Sequence, residues 1–147
     1  MPLHEDRLFP SEPGERAIAR RLYAEVRDLP IISPHGHTDP AWFAAAEPFA
    51  DPASLLIVPD HYVFRMLYSQ GVALEDLGVP ACDGRRVERD PRAIFLRFAE
   101  RWHLFRGTPT RMGIEQALHD VFGVRERLSA ASADRIYDQI AERLGRP

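Results

Sequence analysis

Leu29-Pro30-Ile31-Ile32-Ser33-Pro34-His35-Gly36-His37-Thr38-Asp39-Pro40 is the stretch on which the fold is decided. Its first half is a short apolar run, opened by proline and rich in β-branched residues, and this composition predicts a buried strand. Side chains alternate from face to face along a strand, so His35 and His37 would point the same way with Gly36 between them. Two neutral imidazoles at one strand end are zinc-type ligands, although a catalytic zinc usually takes about three protein ligands and keeps one open position. A bare His-x-His is a weak motif that also occurs in ordinary polar loops. Its place behind an apolar run gives it weight.

On the N-terminal side, residues 1–10 are polar and aperiodic. The spacing then predicts a helix over 13–27, with Ser11 as cap, Pro13 in the first turn, and Ile18, Leu22 and Val26 repeating every four residues to make one packing face. On the C-terminal side everything reads as helical. Short helices are expected over 40–46, over 52–57 behind the cap Asp51, and over 60–70, where Phe64, Leu67 and Tyr68 form the apolar stripe and Gly71 is the stop. Residues 79–89 are the most loop-like. A long helix over 91–105, capped by Asp90 and ended by Gly107, should bury Ile94, Phe95, Phe98, Trp102 and Phe105. Two more follow: 110–122, with Ile114, Leu118 and Val121 in register before Gly123, and 132–145, burying Ile136, Ile140 and Leu144.

The expected fold is therefore mostly α, with one or two short strands plus about six helices. A lone strand leaves its backbone donors and acceptors unpaired unless it joins a sheet. The natural context is the first strand of a larger barrel that carries a helical insertion. Residues 1–40 would be the N-terminal helix and first barrel strand, and 41–147 the helical insertion domain. The 147 residues are too few for a closed eight-stranded α/β barrel, which needs on the order of 200 or more.

Composition narrows the partners. The net charge is −3, with basic residues dispersed among acids, so no footprint for nucleic acid or an anionic membrane is expected and a small molecule is the better partner. A single cysteine, Cys82, excludes an internal disulfide and any multi-cysteine metal site, which fits a reducing compartment. No basic-then-apolar leader opens the chain and no apolar run approaches the ~20 residues of a membrane span. The expected location is the cytoplasm.

Beyond the histidine pair, Asp60-His61-Tyr62 is the most suggestive group. Asp60 suits a helix cap and His61 and Tyr62 suit partly buried packing, yet a tyrosine on a first helical turn can offer its hydroxyl to a ligand. Arg65 follows Tyr62 by three positions on nearly the same helix face, placed to hold an anionic group or to pair with Asp60. His103 and His119 read as surface or packing residues. Cys82 has no histidine beside it to make a catalytic thiolate. There is no glycine-rich phosphate loop and no nucleophile elbow.

Taken together, Leu29-Pro30-Ile31-Ile32, then His35-Gly36-His37-x-Asp39-Pro40, then Asp60-His61-Tyr62-x-x-Arg65-Met66 and Gly71-Val72 resemble the N-terminal part of the uronate isomerases, the glucuronate isomerase family of the amidohydrolase superfamily. Phe98-Ala99-Glu100, Gly107-Thr108-Pro109 and Val121-Phe122-Gly123 fall in the family's order as well. The resemblance implies a distorted (β/α)8 barrel with a helical insertion after its first strand. It implies interconversion of D-glucuronate with D-fructuronate and of D-galacturonate with D-tagaturonate. It places a divalent metal, zinc in the first instance, on His35 and His37, and a substrate-proximal, catalytic tyrosine on Tyr62; the arginines it implies for the sugar acid are not located in this chain, and Arg65 is a substrate-binding candidate from its helix position alone. One departure is visible: where many relatives carry tryptophan and histidine after Gly-x-Pro, this chain reads Thr110-Arg111-Met112-Gly113-Ile114-Glu115.

Two histidines make neither a complete metal site nor an acid/base pair, so this chain alone is expected to be catalytically silent. Association into homo-oligomers through the unpaired strand and the apolar helix faces is an accompanying expectation. Two other readings stand beside it: a helical binding or assembly module without enzymatic function, and a metal-dependent hydrolase of the same superfamily, which would share the histidine pair.

Overall fold

The computed structural model describes residues 4–33, 35–36, 38–45 and 47–145. It divides into two compact units, residues 2–46 and residues 47–147.

In the first unit, α1 spans Pro13–Val26 and α2 spans Pro40–Ala45. The cap of α1 is Glu12 and not Ser11: its carboxylate accepts from the backbone N–H of Gly14 at 2.9 Å and of Glu15 at 2.6 Å. Those bonds satisfy two of the four orphan donors at the helix start and hold the Glu12 carboxyl below its usual range. Asp6 ties the preceding turn to the helix through Arg20, 2.6 Å away, and Phe9 sets its ring edge-on to Tyr23 with centroids 5.8 Å apart. None of the described residues of this unit is buried. The expected packing face of α1 stays open, with Leu22 66% exposed.

The strand expected at Leu29 to Ser33 is corrected by the structure: no strand occurs among the described residues. Ile31 is 94% and Ile32 91% exposed. A strand exists only as one member of a ladder, and no described segment supplies a ladder to this run. The anticipated mix of one or two strands with helices is in fact helical throughout what is described.

Among its described residues the second unit holds five α-helices: α3 Pro52–Leu56, α4 His61–Ser69, α5 Pro91–Glu100, α6 Pro109–Gln116 and α7 Ala133–Leu144. Prolines open α3, α5 and α6 where a missing N–H costs nothing, and Asp51, Asp90 and Thr108 cap them from the preceding position. α5 is the central element, contacted by both α3 and α7. The predicted face is the buried one: Ile94, Phe95 and Phe98 on α5, then Trp102 and Phe105. Those last two sit not on a continued α-helix but on a 3-10 turn, Trp102–Phe105, entered after Arg101. Phe98 meets Trp102 at 5.1 Å and Phe105 at 5.5 Å between centroids, and Phe95 meets Tyr137 of α7 at 5.6 Å, all edge-on. Edge-on aromatic pairs contribute about 0.5–1.5 kcal/mol each beyond the apolar area they bury.

The loop over 79–89 is pinned at its end. Glu88 accepts from the backbone N–H groups of Arg89 and Asp90 and from the Arg97 guanidinium at 3.1 Å, and these bonds, Asp90 first, hold its carboxyl below the ordinary range. Upstream, Gly78 turns the chain at φ +78°, where an added Cβ would stand 2.8 Å from Ile94 Cδ1. Only glycine fits both the left-handed backbone and the close approach to α5.

The helix expected over 110–122 is likewise two pieces. α6 gives way to a π-turn, Ala117–Val121, in which the Phe122 N–H reaches back five residues to the Ala117 carbonyl at 3.1 Å. The wider turn breaks the four-residue register. Val121, expected in the core, is 57% exposed, and Phe122 is buried in its stead.

Candidate functional site

The histidine motif follows α1. Ser33 Oγ donates to the His35 carbonyl at 2.6 Å, and the Asp39 carboxylate accepts from the Ala41 N–H at 2.9 Å at the start of α2. His35 is exposed. His37 lies outside the described residues, so the proposed face shared by the two imidazoles is not given by this structure. Donor chemistry at His35 suits a divalent metal, but the number of donors does not: among the described residues no three His, Cys, Asp or Glu side chains gather where they could hold one ion. A complete catalytic zinc centre does not fit these residues alone.

The second group stands on α4. The Asp60 carboxylate accepts from the N–H of Tyr62 at 2.8 Å and of Val63 at 3.3 Å, so it is a helix cap as its position suggested. Capping fixes the first turn. Val63 and Leu67, four apart, are fully buried and anchor one face of the helix to the core; Tyr68, assigned to the stripe from spacing, is exposed. The same rotation turns Tyr62 outward, 60% exposed. The His61 ring lies against it, with centroids 4.2 Å apart and planes tilted by 34°. Arg65 is exposed one turn on, and among the described residues no ion pair joins it to Asp60. Tyr62 and Arg65 therefore stand exposed on an anchored helix, and their side-chain types are able to hydrogen-bond an oxygen and to meet a carboxylate. His35 and Tyr62 belong to different compact units.

The segment that departs from the family pattern has its own structure. Arg111 stacks its guanidinium 4.2 Å from the Trp102 ring centroid, donates to the Trp102 carbonyl at 3.0 Å, and pairs with Glu115 at 2.5 Å. Here the residues after Gly107-Thr108-Pro109 brace the aromatic core. His103 is exposed, while His119 lines a cavity beside the π-turn. No periodicity signalled that cavity, because a π-turn has no reliable sequence signature and arises from packing.

Among the described residues no helix is long and apolar enough to cross a membrane.

Comparison with known proteins covers nearly the whole chain. A family model described as glucuronate isomerase matches residues 13–147. The uronate isomerase of Rhizobium meliloti (strain 1021) is 64% identical over 142 residues, which are 97% of this chain and 30% of that protein. The uronate isomerase of Xanthomonas euvesicatoria pv. vesicatoria (strain 85-10) is 60% identical over 145 residues, 99% of this chain and 31% of that protein. Among solved structures, glucuronate isomerase from Caulobacter crescentus superposes with a TM-score of 0.90 at 52% identity, over 99% of this chain and 30% of that one. Uronate isomerase from Thermotoga maritima superposes at 0.78 with 28% identity, over 98% and 29%. The chain thus spans about 30% of the length of the curated relatives it matches.

Proposed function

The chain belongs to the glucuronate isomerase family, and on that premise we propose that it is the N-terminal portion of a uronate isomerase. The reaction would be the aldose–ketose interconversion of D-glucuronate with D-fructuronate and of D-galacturonate with D-tagaturonate. The observation that carries this reading is the match across residues 13–147, which includes the His35 and Tyr62 motifs together. Intracellular sugar-acid catabolism and the amidohydrolase barrel belong to the same proposal.

Moving a carbonyl from C1 to C2 requires a base that carries a proton between the carbons and a group that steadies the charge on the enediolate oxygens. Tyr62, exposed on the capped first turn of α4, would hydrogen-bond one of those oxygens. Arg65, on the same helix, would hold the uronate carboxylate through its planar guanidinium. A divalent metal at His35 and His37, zinc by ligand type, would polarise the carbonyl when bound. Among the described residues no three donors gather to complete that centre, and the base would come from the other part of the enzyme. The chain alone should be silent. Its open apolar helix face and the exposed run at Ile31 and Ile32 support association with a complementary surface, in the rest of the enzyme or in a second copy.

The test is a chimera in which this chain replaces the segment it matches in the Rhizobium meliloti uronate isomerase. The chimera should convert D-glucuronate to the ketose, with Tyr62→Phe lowering kcat by about 10²-fold or more and His35→Ala reducing both metal content and rate. A folded, metal-loaded chimera without uronate isomerase activity would overturn the proposal, as would full activity in the 147-residue chain by itself.

A further inference from the structure

The turn before α1 covers one side of that helix and leaves the other open. Asp6 holds Arg20 at 2.6 Å and lies 3.9 Å from Arg16, and the Phe9 ring meets Tyr23 edge-on, so the turn runs along the Arg16, Arg20 and Tyr23 side. At about 100° per residue that side turns away from Ile18, Leu22 and Val26, which fall within about 40° of one line along the helix. All three are more than half exposed. Leu29, just past the helix end with its N–H on the Val26 carbonyl at 3.1 Å, is exposed as well.

This stripe has one charged border. Arg21 and Glu25 lie beside it on the same flank, one turn apart, and both are exposed. Neither makes an ion pair among the described residues, whereas Arg16 and Arg20 both meet Asp6. Within one helix, arginine before glutamate is the less favourable order of such a pair. The opposite border, Ala19 and the Tyr23 ring, carries no charge.

We propose that this face docks on the same face of a second copy of the chain, the two α1 helices running antiparallel about a two-fold axis. That symmetry sets each flank beside its own copy. In the register that places Arg21 opposite Glu25 of the second copy, the reciprocal pair forms too, and each Leu22 falls between Leu22 and Val26 of the other helix. A parallel pair would set Arg21 and Glu25 against Ala19 and Tyr23 and leave both charges unmatched. Charge therefore selects both the occupant and its direction, because a flank with arginine and glutamate four apart is complementary to itself when reversed. A single helix face belongs to the small, weak class of interfaces, so the expected state is a concentration-dependent dimer. The contact uses none of the residues assigned to isomerisation, and it stands or falls apart from the function proposed above.

The experiment is sedimentation equilibrium on the full 147-residue chain over a range of concentrations. The mass should rise from monomer toward dimer. Arg21→Glu and Glu25→Arg should each raise the dimer dissociation constant by about tenfold or more, since each sets like charges across the two-fold axis. An equimolar mixture of the two variants should bring it back to near the parent value, because the mixed dimer has both pairs again. Leu22→Glu, at an exposed position where circular dichroism should show the parent helix content, should leave only monomer. Arg127→Gln, exposed and outside residues 2–46, should change nothing. A monomer at every concentration would overturn the proposal and leave the face to a different occupant. So would a dimer that Leu22→Glu or the charge reversals leave intact, or one that the mixture of variants fails to restore.

Discussion

Helices α1 and α7 carry the same four-residue apolar spacing and end in opposite surroundings. Ile136 and Ile140 of α7 are fully buried against the aromatic face of α5, while Ile18, Leu22 and Val26 of α1 are each more than half exposed. Both helices have sound local chemistry: Glu12 caps α1 through two backbone bonds, and the Ser129–Ser132 capping box leads into α7. Spacing and caps specify a helix with one sticky side. They do not provide the surface that side rests on, and most helix stability in proteins comes from that surface. Residues 47–147 contain their own; residues 2–46, as described, do not.

The largest expected effect tests that contrast at its centre. Phe98→Ala removes the ring that Trp102 and Phe105 both pack on and should destabilise the 47–147 unit by about 3–5 kcal/mol. Leu22→Ala on α1 should stay within about 0.5 kcal/mol, as surface changes do. Chemical denaturation followed by near-ultraviolet circular dichroism reads both, and equal losses would break the comparison.

Gly78→Ala comes next. It forces a side chain into a left-handed turn and against Ile94, at an expected cost of about 1–3 kcal/mol in the same assay. An unchanged midpoint would mean that α5 shifts freely and that the core is looser than its packing suggests. Asp60→Ala strips the cap of α4 and should cost about 1 kcal/mol. Asn at the same position should recover most of it, since an amide oxygen also accepts from the Tyr62 and Val63 N–H groups. Glu12→Ala, the equivalent lesion on α1, should not move the denaturation of the aromatic core at all.

The smallest effect is the acid limb. Glu88 has a folded pKa below its ordinary value, through the Asp90 N–H first and Arg97 second. A carboxyl depressed on folding contributes its stability fully above the unfolded pKa, about 4.3 for glutamate. That contribution is lost as pH falls through the lower, folded value. Denaturation midpoints should therefore be level with respect to Glu88 above about pH 5 and drop below about pH 4. Glu88→Gln should make that drop shallower, and an identical acid limb in the variant would remove Glu88 from the account.

Much of this arrangement was legible in the residues. Prolines behind Asp51 and Asp90 announced helix starts because an aspartate cap and a proline first turn both answer the unsatisfied donors there. Asp60 reads as a cap and is one, and that same bond places Tyr62 on the outward turn. The buried face of α5 also followed from spacing, even though Trp102 and Phe105 arrive on a 3-10 turn. The misses have a common cause. At Ile31 and Ile32, β-branched composition predicted a strand, but strand identity depends on a pairing partner that local composition does not supply. At Val121 the four-residue register predicted burial, but the π-turn inserted there rotated the face by one residue. The His119 cleft was invisible for the same reason.

By itself the sequence determined the helices, most of their caps, the aromatic face that organises residues 47–147, and the motifs that carry the family resemblance. These are local properties, set by side-chain shape, periodicity and hydrogen bonds within a few residues. The tertiary structure alone decided which apolar faces are covered, that the run at Leu29 to Ser33 has no sheet among the described residues, and that Arg125 and Arg143 line one cavity. Each of those depends on which distant segment is present to supply a surface, a ladder or a counter-charge, and no window of sequence contains its own partner.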